Sequence, residues 1–191
     1  NCQRELSVIH NKVGDILHIQ GKLPGALSAY RQGLEVIKLI VNDAPSNDVW
    51  QRDLSVSYNK VGDVLLAQGD LSAALDAYRK SLAVRERLLA SDLSNDLWKR
   101  DLSLSHDRVG DVLFTQQDFS GALSAYQKSL EIRKQLAVEY HSNAIWWRDL
   151  SISQVNIGNV LRAEKNLVGA ISFYRLALEA RETLFAADPS N

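Results

Sequence analysis

Between Trp50 and Ala67 the apolar side chains fall at Trp50, Leu54, Val61 and Leu65, with Tyr58 beside them. Steps of four, seven and four keep these positions on one face of a helix. Gln68-Gly69-Asp70 interrupts the pattern, and a second helical pattern runs from Leu71 through Leu75, Tyr78, Leu82 and Leu89. A turn this short predicts an antiparallel helical hairpin. The stretch Ser91 to Asp96 then breaks the period and offers N-cap side chains to a following helix.

This hairpin is written four times. RELS starts at Arg4 and RDLS starts at Arg52, Arg100 and Arg148, a constant step of 48 (52−4, 100−52, 148−100). Gly14, Gly62, Gly110 and Gly158 keep the same step, as do Ala26, Ala74, Ala122 and Ala170, and Tyr30, Tyr78, Tyr126 and Tyr174. A fixed period of this size marks stacked repeats. The expected organisation is one elongated repeat domain over 1–191, divided as 1–48, 49–96, 97–144 and 145–191 and stabilised by neighbour contacts.

Within each unit a glycine is followed twelve residues later by alanine and four residues after that by tyrosine, as in Gly62, Ala74 and Tyr78. Leu65 and Ser81 stand three residues after the Gly and the Tyr. This spacing resembles the tetratricopeptide repeat, in which small residues let two helices approach and a large one fills the space where they diverge. HEAT-type repeats have a nearer period but lack this spacing. The usual tetratricopeptide unit is about 34 residues, so each unit here carries 14 more (48−34). The surplus lies around Trp50 to Val56 and Arg85 to Ser91, about two turns on each helix. Long repeats of this kind are similar to those of kinesin light chains and of large bacterial signalling proteins. The resemblance implies an all-α, right-handed α-solenoid of four helix-turn-helix units and eight long helices. Trp50, Trp98 and Trp146 are then expected to be buried in the lengthened ends, near Leu88, Leu136 and Leu184. Cys2, in the same column, is expected to be a small buried residue.

The formal net charge of −1 gives no basic field to recruit nucleic acid. A single cysteine, Cys2, excludes an intrachain disulfide and suits a reducing, cytoplasmic setting. No apolar run approaches membrane-spanning length. The chain starts in mid-pattern and has no methionine, so it is read as a piece of a longer protein. No phosphate loop, HExxH, CxxC or nucleophile elbow is present. His10 and His18 are eight apart, unlike helical metal ligands, and His106 and Asp107 are sequence neighbours that do not face each other on a helix. No catalytic residue, metal or cofactor is expected.

One face of the first helix collects Arg52, Val56, Asn59, Asp63 and Leu66. The resemblance implies that this face lines a concave groove, and repetition extends it through Arg100, Leu104, Asp107, Asp111 and Phe114, then Arg148, Ile152, Asn159 and Arg162. Polar rungs beside an aliphatic stripe suit a peptide or protein ligand. The expected function is therefore non-catalytic protein–protein interaction, as a scaffold, adaptor or sensor segment. An RNA-binding array would need a basic groove with more aromatics than Phe114. A self-assembling element is the other alternative, because Leu167, Ile171 and Leu178 have no following repeat to cover them. Lys12 with Asp15, Lys60 with Asp63 and Arg108 with Asp111 are expected to form i, i+3 pairs. Arg148 and Arg162 are expected to make the C-terminal end of the groove positive and to hold a carboxylate. Arg85 and Arg133, among other second-helix arginines, are expected on a mixed-charge exterior.

Overall fold

The computed structural model describes residues 2–141 and 143–187, and among these eight helices and no strand are found. They are α1 (Cys2–Ile19), α2 (Leu23–Asp43), α3 (Asp48–Ala67), α4 (Leu71–Ser91), α5 (Asp96–Thr115), α6 (Phe119–Glu139), α7 (Ala144–Ala163) and α8 (Leu167–Ala187). The boundaries follow local chemistry. Asn47 and Asn95 accept the backbone N–H of Trp50 and Trp98, each at 3.1 Å, and so start α3 and α5. Asp70 and Asp118 cap α4 and α6 through Ala73 N–H and Gly121 N–H. No side chain caps α2, which has proline in its first turn instead.

Each hairpin turn needs one residue in the left-handed region. Gly69 supplies it at φ 81, and its N–H and that of Asp70 return to Leu66 and Leu65 carbonyls at 2.9 Å. Gln117 holds the same conformation at φ 63 without glycine's freedom.

The chain divides into two compact units, residues 1–94 and 95–191. In the first, α1 pairs with α2 and α3 with α4, and α2 packs on α3. In the second, α5 pairs with α6 and α7 with α8, and α6 packs on α7. The interior of each hairpin is set by the glycine–tyrosine pair. A Cβ placed on Gly110 would lie 2.6 Å from the ring of Tyr126, so only glycine leaves room for that ring. The Tyr126 hydroxyl then donates to Asp111 Oδ1 at 2.7 Å. The same bond recurs from Tyr30 to Asp15, from Tyr78 to Asp63 and from Tyr174 to Asn159. Burial and the bond to Asp111 hold the Tyr126 phenol above its ordinary range.

Two expectations about the lengthened ends need correction. Trp50, Trp98 and Trp146 are half-buried rather than core. Arg100 lies over the Trp146 ring at 5.9 Å, which shows why an indole can stay at the surface there: a cation covers its face. Cys2 is exposed. Trp147 is half-buried, and its indole N–H donates to the His141 carbonyl at 2.8 Å.

Candidate functional site

Two of the motif arginines, Arg4 and Arg100, have a structural task. Arg4 Nε donates to Asp53 Oδ2 at 2.6 Å, and Arg100 Nε donates to Asp149 Oδ2 at 2.7 Å. Each bond joins a first helix to the first helix of the next repeat. Lys60 behaves similarly. It reaches back to Asp15 at 2.5 Å rather than pairing with Asp63 three residues on. Burial raises the Asp15 pKa, but the bonds from Lys60 and Tyr30 outweigh it and leave the carboxyl below its ordinary value.

Other expected groove residues lie in the interior. Asn59 is 6 % exposed and Asp107 8 %. They are not open rungs for a peptide backbone, because the second helix of the hairpin closes over them. Arg133, expected on an exterior face, is 1 % exposed. It pairs with Asp107 at 2.5 Å, and it donates to Ser103 Oγ, to Ser153 Oγ and to the Asp149 carbonyl. Burial drives the Asp107 carboxyl above its ordinary range, and the guanidinium recovers only part of that rise. Arg85 in the first unit is likewise buried and donates to Ser55 Oγ at 3.2 Å.

The residues left open form a smaller surface. In the first unit Arg52, Val56, Asp63 and Leu66 are partly exposed along α3. In the second unit a shallow cleft is lined by Asp111, Phe114, Thr115, Tyr126, Asn156 and Asn159. Phe114 is held there by the Phe119 ring, with centroids 5.7 Å apart. Along α5 and α7, Leu104 is half-buried, Ile152 is 38 % exposed and Val155 is 39 % exposed. The cleft thus brings together Asp111, Phe114 and Asn159. It adds Asn156, which stands where the other repeats carry lysine or arginine.

Arg148 and Arg162 do not share a site. They are exposed near opposite ends of α7, and their fourteen-residue separation is about 21 Å along the axis. Arg148 instead shares a cleft with Arg181, Leu184 and Phe185 at the other end of the hairpin. Among the described residues, no group of three or more His, Cys, Asp or Glu side chains could hold a metal ion. No described helix is long and apolar enough to cross a membrane.

Residues 54–92, the core of the second repeat, match the family model described as tetratricopeptide repeat. No curated protein matches the chain. Among solved structures, the chain is similar to BtubC (BKLC) from P. vanneervenii, with a TM-score of 0.75 at 17 % identity over 97 % of this chain and 65 % of that one. It is also similar to the apo form of RapI, with a TM-score of 0.73 at 14 % identity over 97 % of this chain and 58 % of that one. The chain therefore spans less than two thirds of the length of either structure. At these identities the likeness is one of fold.

Proposed function

We propose that this chain, a run of tetratricopeptide-type helical repeats, is a non-catalytic module that binds a protein segment along its first-helix surface. Repeats of this type are in general protein-interaction modules. The observation that carries the reading is the cleft of Asp111, Phe114, Asn156 and Asn159 beside the exposed aliphatic side chains Ile152 and Val155. Both side chains leave apolar surface open beside the cleft. An extended or helical peptide could bury them, while the carboxylate and the amides bond its backbone and polar side chains. The exposed carboxylate of Asp111 repels a phosphate backbone and so favours protein over RNA. The role is that of a scaffold, adaptor or sensor segment, with the surface on α5 and α7 as the contact.

Panning a random-peptide phage library against the purified chain tests this. Enriched peptides should bind the native chain and lose binding to an Ile152→Glu, Val155→Glu variant whose melting temperature is unchanged. Peptides that bind both equally, or no enrichment over bare resin, would overturn the reading.

A further inference from the structure

The two units build the same corner differently. In the first, Lys60 on α3 reaches back to the α1–α2 hairpin. Its ammonium bonds Asp15 Oδ1 at 2.5 Å and stands over the Tyr30 ring, 5.4 Å from the centroid. The Tyr30 hydroxyl donates to the same oxygen at 2.7 Å. A carboxylate and a ring face together hold one cation.

In the second unit the carboxylate and the ring are repeated and the lysine is not. Asp111 on α5 and Tyr126 on α6 stand 96 residues after Asp15 and Tyr30 (15+96, 30+96), and the phenol again donates to the carboxylate at 2.7 Å. The residue equivalent to Lys60 is Asn156 on α7 (60+96). An amide is uncharged and stops short of where a lysine ammonium reaches. The place is a cleft of about 230 Å³ between Asp111, Tyr126, Asn156 and Asn159. Phe114, in the column of His18 (18+96), gives it an apolar wall. Among the described residues, no cationic side chain lines this cleft. Arg108, three residues before Asp111 on α5, lends charge to that carboxylate from outside the cleft walls.

We propose that this cleft takes the ammonium of a lysine from a bound protein segment, seated on the Asp111 carboxylate and over the Tyr126 ring as Lys60 is on Asp15 and Tyr30. This anchor rests on the peptide-binding reading of the α5–α7 surface and gives that surface a preferred side chain. The lysine stem lies along Phe114, and its neighbours in the segment meet Ile152 and Val155, both exposed beside the cleft. A glutamate at the same place would face the Asp111 charge and be excluded.

Random hexapeptide pools, acetylated and amidated, test this when they differ only in one central position fixed as lysine, norleucine or glutamate. Amide shifts of the labelled chain at Asp111, Asn156 and Asn159 follow each titration. The lysine pool should bind about three- to tenfold tighter than the norleucine pool, whose side chain keeps the stem without the charge. The glutamate pool should bind weakest. Asp111→Asn, which keeps an acceptor for Tyr126, should make the lysine and norleucine pools equal. Asn156→Lys should do the same, because the chain then fills the cleft with its own lysine, as in the first unit. Lysine and norleucine pools that bind the native chain alike, or a lysine preference that survives Asn156→Lys, would overturn the proposal. If the pools bind alike and all lose binding to the Ile152→Glu, Val155→Glu variant, the anchor falls and the peptide-binding reading stands. No shift from any pool overturns both.

Discussion

Arg133 pairs with Asp107 at 2.5 Å across the α5–α6 hairpin, and 1 % of the arginine is exposed. A charge held this far from water is tolerable only while its partners remain. Removing it strands the Asp107 carboxylate. Arg133→Ala should therefore cost about 3–5 kcal/mol of unfolding free energy, measured by urea denaturation. The first repeat carries Ile37 and Asn11 at these positions, with Ile37 fully buried. The double change Arg133→Ile, Asp107→Asn should be less destabilising than Arg133→Ala, because no charge is left unpaired. A double variant weaker than the single one would show that the pair is not the source of the loss.

The glycine opposite each tyrosine is a second point of sensitivity. Gly110→Ala forces its Cβ against the Tyr126 ring and should cost about 1–3 kcal/mol. Tyr126→Phe keeps the ring and loses the bond to Asp111, for a loss of about 1–3 kcal/mol. Thermal melts of both variants check the pair of values. An unchanged melting temperature for Gly110→Ala would mean that the two helices separate freely at this point.

How much of this could be read in advance depended on what each position repeats. The hairpins, their turns and the Gly-Ala-Tyr spacing were legible because close packing restricts size, and size recurs visibly every 48 residues. Arg85 and Arg133 were misread because a charged side chain in a helical pattern reads as exterior. Only the buried serines Ser55 and Ser103, which carry no apolar signal, show that a polar junction receives them. The inter-repeat bonds from Arg4 and Arg100 were hidden for a different reason. A constant period pairs Arg with Asp in its own motif just as well as in the next one, and only the three-dimensional step between repeats decides.

Acid should destabilise the second unit through His106. Its side chain is 6 % exposed, and burial, with Lys128 nearby, pushes its pKa down to about 4. The unfolded imidazole takes up a proton near pH 6.5. As pH falls from 6.5 towards 4, the unfolded chain therefore binds more protons and stability declines, by up to roughly 3 kcal/mol. The equivalent residue in the fourth repeat is Gln154, which is also buried. His106→Gln should flatten the acid limb between those pH values, as followed by urea midpoints. An acid limb of unchanged slope would place the titrating group elsewhere.

Gln117 pays for its φ of 63 with side-chain crowding that Gly69 avoids at φ 81. Its side chain is exposed, so replacing it removes no packing. Gln117→Gly should raise stability by about 0.5–1 kcal/mol, relieving the left-handed strain net of glycine's entropy. A loss of stability in the melt would show that the side chain contributes a contact.

The location of a bound peptide tests the account most directly. Amide chemical shifts of the labelled chain, followed on titration with a peptide selected by panning, report which helices it touches. Perturbations are expected at Leu104, Asp111, Ile152, Val155 and Asn159, on α5 and α7. Shifts confined to the outer positions of α6 and α8, such as Lys128 and Glu179, would contradict it.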